Sequence, residues 1–368
     1  MLCALCAYAA PQSQDFGSLA RAAQAAIDTN PAQAAELYRK ALALKPDWPE
    51  GWFYLGGAEY GQGHFQQARD AFEKGLPLQQ NSGTAWGFLG LCDYELGHFD
   101  KAIAEIAKGE EIGLGSNAGF ETAVRQRAAL ILIRGSFFDK AIAQLQPLTK
   151  HQVNDPAVVE AVGLCALARP DDPDKLTAAQ RGVVDMAGQA LWAATSQRPE
   201  DAKAGYEKLM ATYPIEPGVH YAHGLYLMDF DQAAALAEFR KEIAMDPAHW
   251  PSLLVAAFLE TREGNTDVSL KYAEDALKLA PATFHWLCYA EIGRSLLAAG
   301  NPEKAAPAFE ESVKLEPDNA QTHFYLEQAY RLSGRRAEAQ KEKAEFIRLK
   351  AAEDPLSLPG LIRATQQR

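Results

Sequence analysis

The sequence predicts an all-α fold, a solenoid of stacked antiparallel helix pairs, and three observations carry that prediction. First, GWFYLGGAEYGQGHFQQARDAFEKGL (51–76) is followed by AWGFLGLCDYELGHFDKAIAEIAKG (85–109). Trp52, Leu55, Gly56, Tyr60, Gly63, His64, Phe65 and Ala68 return as Trp86, Leu89, Gly90, Tyr94, Gly97, His98, Phe99 and Ala102, every pair 34 positions apart. Self-similarity at a fixed period marks a repeat array, in which one hairpin cannot bury its apolar face alone and stacks on its neighbours instead. Second, Gly63, Gly97, Gly264, Gly300 and Gly334 break five units into two helical halves. Third, the second halves share a frame of small residue, aromatic residue and closing proline, the last of which cannot continue a helix.

In chain order, the sequence opens on the apolar run MLCALCAYAA, which ends in Ala7-Tyr8-Ala9, the small-x-small form of a signal-peptidase site. Residues 1–14 therefore read as the remnant of an export leader, although no Lys or Arg supplies the basic n-region, and a cytoplasmic N-terminus is the alternative. Cys6 follows Cys3-Ala4-Leu5, a poor lipoprotein box, so plain export is favoured over lipid anchoring. Residues 15–150 form an N-terminal array that begins with AAELYRKALALKP (34–46), where Ala34, Tyr38, Ala41 and Pro46 set the frame. The frame then weakens: GLGSNAGF (113–120) replaces a clean closing turn, and GSFFDKA (135–141) holds one residue more than GHFDKA. ARPDDPDKLTAAQRG (168–182) interrupts it, so residues 151–182 read as an irregular repeat joining two sub-arrays. A C-terminal array follows over 183–354, with second helices in DAKAGYEKLMATYP (201–214), AALAEFRKEIAMDP (234–247), VSLKYAEDALKLAP (268–281) and AAPAFEESVKLEP (305–317). The matching first helices lie around Met186, His220, Leu253, Tyr289 and His323, and PLSLPGLIRATQQR (355–368) closes the chain as a cap or tail.

The residue types fit close helix packing. Gly56, Gly90, Ala68 and Ala102 sit where paired helices must approach, while Trp52, Phe72, Trp86 and Phe309 fill the wider gaps. These residues at this spacing resemble the tetratricopeptide repeat (TPR) family, whose pattern is W-x2-L-G-x2-Y followed by Ala, Phe, Ala and Pro at fixed offsets. The resemblance covers about residues 15–350 in eight or nine units. It implies a right-handed superhelix whose first helices line a concave groove, and a bacterial-style scaffold for protein–protein interaction without catalysis of its own.

Composition narrows the partners. Apolar residues make up 48% and charged residues 23%, the balance of a soluble globular chain with a sizeable core. Thirty-six basic against 48 acidic side chains give a net charge of −12, which repels phosphate backbones and anionic lipid. Nucleic acid and membrane surfaces are therefore not expected as partners, and no segment has the apolar run of roughly 18 residues that spans a bilayer. Beyond the leader, Cys92, Cys165 and Cys288 are odd in number and embedded in apolar sequence, the usage of small core residues rather than of disulfides or zinc.

Candidate chemistry is sparse. His64 and His98 follow a helix-ending glycine and suit a role in the loop and in capping the second helix. His220 and His223 lie three apart in VHYAHGLY and could share a helix face, but a metal site needs further ligands and support, so packing is the expected role. GLGSNAGF breaks the dinucleotide spacing and reads as a turn; no Walker loop, G-x-S-x-G elbow or H-E-x-x-H is present, and Cys165 has no recognisable His partner. No catalytic residue, metal ligand or cofactor is assigned. The family's groove offsets fall on Phe53, Gly57 and Tyr60, then Gly87, Leu91 and Tyr94, so the candidate binding residues are Phe53, Tyr54, Tyr60, Leu91 and Tyr94. Phe53, Gly57, Gly87 and Leu91 also stand where some members clamp a C-terminal carboxylate, so that mode is not expected. The basic stretch YRLSGRRAEAQKEKAEFIRLK (330–350) reads as a solvated terminal face.

The expected function is display of a rigid aromatic-lined groove to an extended or helical segment of a protein or peptide partner. Two other readings stay open: a repeat array with an enzymatic or metal site at His220 and His223, and a structural subunit of a larger envelope assembly. The expected location is exported, periplasmic or secreted; the sequence names no partner and sets no oligomeric state.

Overall fold

A computed structural model describes residues 15–149 and 155–352; the leader assigned to 1–14 and the tail at 355–368 lie outside them. Among the described residues are 19 α-helices, two short 3-10 turns and no strand, as the 34-residue period predicts. The chain divides into two compact units between Ile131 and Leu132. In the first, α1 (Phe16–Ala26) pairs with α2 (Pro31–Leu44), α3 (Pro49–Tyr60) with α4 (Phe65–Gly75), and α5 (Gly83–Glu95) with α6 (Phe99–Ile112), followed by α7 (Ala118–Arg134), which the boundary crosses. The second holds α8 (Phe138–Thr149), α9 (Pro156–Ala166) and five hairpins. These are α10 (Ala178–Thr195) with α11 (Pro199–Thr212), α12 (Val219–Leu227) with α13 (Gln232–Met245), α14 (Trp250–Arg262) with α15 (Thr266–Leu279), α16 (His285–Ala298) with α17 (Pro302–Leu315), and α18 (Ala320–Leu332) with α19 (Arg336–Ala352).

One packing lock recurs inside the hairpins. Phe72, Phe239 and Phe309 of the second helices are buried, each lying across a glycine of the first. A Cβ on Gly56, Gly224 or Gly293 would stand 2.7–2.8 Å from the facing ring, so only glycine lets the aromatic seat. Gly90 serves Ile106 in the same way, at 2.7 Å. A buried aromatic of this kind contributes roughly 3–5 kcal/mol, judged from truncation to alanine.

The five glycines that mark the breaks all take left-handed backbone, with φ between +75° and +82°. The next residue's N–H then returns to the carbonyl five positions earlier: His64 to Glu59 at 3.0 Å, Asn265 to Glu260 at 2.9 Å, Arg335 to Tyr330 at 2.8 Å. This closure satisfies carbonyls that the first helix would leave bare and reverses the chain in one step. Ser136, Ala168 and Gln197 make the same turn at φ +62°, +49° and +57° without glycine, and Phe137, Arg169 and Arg198 return to Leu132, Leu164 and Ala193. The frame survives in the irregular region, although its glycine signal is gone.

Residues 155–182, the described part of the irregular stretch 151–182, include core of the second unit. Helix α9 is buried from Val158 onward, including Val159, Val162, Leu164 and Cys165, with its one charged residue, Glu160, paired to Arg181 of α10; a helix so nearly apolar has to be covered all round. It packs backbone to backbone on α10: a Cβ on Gly163 would sit 1.9 Å from the Val184 carbonyl oxygen, and one on Gly188 2.1 Å from that of Val159. Past its left-handed end comes only the 3-10 turn Pro173–Lys175, and then a capping box of Thr177 and Gln180 starts α10.

A non-glycine residue held left-handed is strained by about 1–2 kcal/mol, partly offset by the extra unfolded-state entropy of glycine. Gln197→Gly is therefore expected to stabilise the second unit by about 0.5–1 kcal/mol in chemical unfolding. An unchanged or lower midpoint would show that the turn carries no strain.

Candidate functional site

Three first helices bury a carboxylate almost completely: Glu59 on α3 is 1% exposed, and Asp93 on α5 and Glu260 on α14 are 0%, whereas the buried Glu291 of α16 pairs with Arg294 of its own helix. An unpaired carboxylate removed from water costs several kcal/mol, so each is supplied with donors. Glu59 accepts from the Arg39 guanidinium of α2 and lies 2.8 Å from His64 Nδ1. Glu260 accepts from Arg240 Nε and Nη2 of α13 at 2.8 and 2.6 Å and from Asn265 Nδ2 at 2.8 Å. Asp93 accepts from Arg69 Nε of α4 at 2.8 Å and lies 2.6 Å from His98 Nδ1. In every case the arginine comes from the second helix of the preceding hairpin and the other donor follows the left-handed glycine. A polar staple thus joins successive hairpins and their turn.

At the last junction the polarity reverses. Tyr330 Oη of α18 donates to Glu310 of α17 at 2.7 Å, and Arg335, after Gly334, donates to the same carboxylate at 3.2 Å while lying 4.1 Å over the Tyr330 ring. His64 and His98, expected to cap the second helices, occupy the N-cap positions of α4 and α6, but their side chains cap nothing and turn instead to the buried acids.

His220 and His223 do not converge on a metal site. Nδ1 of His220 lies 2.5 Å from Glu238 and Nε2 lies 3.1 Å from the Pro214 carbonyl, which occupies both ring nitrogens. His323 repeats the arrangement with Glu342 at 2.5 Å and Pro317 at 2.8 Å. Trp52 and Trp86 donate their indole N–H to Pro46 and Gln80 at 2.9 and 3.0 Å, again six residues back, so the histidines do the work of tryptophan. His223 Nδ1 stands 3.8 Å from Glu238, and burial holds its ring below the usual histidine range. Among the described residues no group of three or more His, Cys, Asp or Glu is placed to hold a metal. Cys92, Cys165 and Cys288 are free and buried, and burial pushes every thiol up, those of Cys92 and Cys288 to about 12, which suppresses the nucleophilic thiolate.

Residues 20–92 and 291–345 match the tetratricopeptide repeat family. This chain is a tetratricopeptide-repeat protein. Solved structures similar to this TPR protein include MamA, at 18% identity over 44% of this chain and 95% of that one, with a TM-score of 0.40. MamA residues 41 to the end from Desulfovibrio magneticus RS-1 aligns at 19% identity over 46% and 98%, with a TM-score of 0.42. The pilF protein of Pseudomonas aeruginosa aligns at 16% over 45% and 75%, with a TM-score of 0.41. No curated protein matches the chain.

The five candidate binding residues of this TPR protein all lie in the first unit, in different settings. Tyr54 is 41% exposed and stacks on Tyr38 with centroids 5.6 Å apart. Tyr60 is half-buried, edge-on to Phe65 at 5.4 Å and Phe88 at 5.6 Å; burial, then the charge of Glu95, pushes its phenol up to about 12. Tyr94 repeats the edge-on contact with Phe99 at 5.6 Å and carries the Arg127 guanidinium 5.4 Å over its ring. Phe53 packs against Gly75 and stacks on Phe72 at 6.3 Å, within the α3–α4 hairpin. Leu91 is 2% exposed and belongs to the core with Ile106, Leu114 and Val124, so it presents no surface. Gly57 has open space where a side chain would stand. No described helix is long and apolar enough to cross a membrane.

The hydrogen bond to Glu342 raises His323 above the usual histidine range, against the burial that opposes it. A basic group raised in the folded state contributes stability that is fully present below its unfolded pKa, near 6.5, and is lost as pH rises through the folded value. Hydrogen-exchange protection of α18 and α19, corrected for intrinsic rates, is therefore expected to be greater at pH 6 than at pH 8. Glu342→Gln should remove that difference; an equal difference in both proteins would contradict the pairing.

Proposed function

We propose that the first unit takes an extended or helical segment of a protein partner across its first helices, with Tyr54, Tyr60 and Tyr94 as the contact aromatics. TPR arrays are protein-interaction scaffolds and in general non-catalytic. The observation that carries the finer reading is the exposed ring of Tyr54 together with the half-buried rings of Tyr60 and Tyr94, each fixed against another aromatic. Rings already locked in place lose little side-chain entropy on binding, which favours them as anchors. A net charge of −12 favours a neutral, apolar or locally basic segment. Export to the periplasm or medium, and membership of an envelope assembly, belong to the same proposal and rest on the leader-like sequence at 1–14 alone.

The test begins with a partner captured by the full chain from its native host and identified by mass spectrometry. Affinity is then compared between the native protein and Tyr54→Ala with Tyr94→Ala. The expected result is binding weaker by about tenfold or more, the size of a lost aromatic anchor, with helicity unchanged in circular dichroism. Equal affinity would remove the site from these residues.

A further inference from the structure

The three buried acids are not equally satisfied. Glu59 and Glu260 each use both oxygens, one toward the arginine and the other toward the turn residue. In the α4–α5–α6 junction, both donors, Arg69 and His98, converge on Oδ1 of Asp93. Its Oδ2 is buried with no hydrogen-bond partner, and so is Oε2 of Glu105 on α6. The two carboxyls lie within hydrogen-bonding reach of each other. Two differences of sequence create this arrangement. Aspartate is one carbon shorter than the glutamates at the sister positions, and Glu73 stands 20 residues before Asp93, where Arg39 and Arg240 precede Glu59 and Glu260 by the same interval. The arginine must then reach in from one turn earlier, at Arg69, and it also pairs with Glu73.

The charged and titratable groups around the pair are Arg69 and Glu73 from α4, Cys92 and Asp93 from α5, His98 at the start of α6, and Glu105 itself. Three carboxylates thus face one permanent cation and one titratable one. Two interacting carboxyls, each with a buried oxygen that no donor reaches, are strongly repulsive unless a proton stands between them.

We propose that Asp93 and Glu105 share a single proton and form a proton-operated joint between the α3–α4 and α5–α6 hairpins. The protonated Glu105 hydroxyl donates to Asp93 Oδ2, completing the staple; release of that proton to solvent leaves two carboxylates opposed in the junction and loosens it. The pKa shifts run the same way. Burial and then the Asp93 charge push Glu105 up to about 8, while for Asp93 burial is outweighed by the hydrogen bonds from His98 and Arg69, which hold it below the usual range. An acid raised in the folded state contributes stability fully present below its unfolded value, near 4.3, and lost as pH rises through about 8.

The decisive experiment is a carboxyl-carbon NMR titration of the full chain, with Glu105→Gln used for assignment, beside hydrogen exchange of α5 and α6 at pH 6.5 and 9, corrected for intrinsic rates. The expected result is a carboxyl resonance titrating near pH 8 that vanishes in Glu105→Gln. Protection in the native protein should fall by about tenfold between the two pH values, and in Glu105→Gln, whose amide donates to Asp93 at every pH, it should not fall. Carboxyl titrations confined below about pH 5, or an equal loss of protection in the variant, would overturn the joint. Should Glu105→Gln fail to fold, the titration of the native protein decides alone.

Discussion

A carboxylate taken out of water must be given donors, and this chain places one at the same point of three first helices. Glu59, Asp93 and Glu260 could not be buried by a single hairpin, because the arginines that satisfy them belong to the preceding one. Removal of an arginine would leave the buried acid with only its turn partner, which makes the correct neighbour part of each hairpin's own stability. The staple also sets direction. Successive residues of a helix are turned by about 100°, so the residue after the acid, Tyr60 or Tyr94, is carried away from the hairpin interface and edge-on to the phenylalanine that starts the next helix. Presentation of the tyrosines is thus a consequence of burying the acid beside them.

The other recurring devices serve the same arrangement. The left-handed turn brings His64, His98 or Asn265 back over the first helix, which is where the acid needs its second donor. The ring-on-glycine lock fixes how far the two helices of one hairpin stand apart, and the indole or imidazole N–H that reaches a carbonyl six residues back ties four first helices to the end of the preceding second one. What these positions require is a function rather than an identity: His220 and His323 supply the N–H of a tryptophan, and Ser136, Ala168 and Gln197 supply the turn of a glycine at some cost in strain.

Much of the fold was legible in the sequence, because a 34-residue period with small residues, aromatics and prolines in register leaves few other ways to bury the apolar face. The staple was less legible, since an acid inside a helix reads as a solvated side chain until its donors are recognised. Its signature is nonetheless present: Arg39 and Arg240 stand 20 residues before the acid, and His64, His98 and Asn265 stand five after it. The histidines read as caps because the sequence shows their place at a helix start and does not show the buried partner. The offset of Leu91 points to groove lining, whereas the following helices cover it; which side of an offset faces solvent is fixed by the neighbour and not by the unit itself. Helix α9 was hidden for a related reason, since its apolar run fits both a repeat helix and a buried insert, and only packing against α10 separates them.

The central claim is that an ion pair between a half-exposed arginine and a buried carboxylate, rather than apolar contact alone, holds neighbouring hairpins in register. The pair of Arg240 and Glu260 is the cleanest place to test it, because both guanidinium contacts fall on one oxygen of a fully buried acid. A double-mutant cycle of Arg240→Ala and Glu260→Ala in chemical unfolding of the full chain measures their coupling directly. The account predicts a coupling energy of about 1–3 kcal/mol; additive single effects, within about 0.5 kcal/mol, would contradict it.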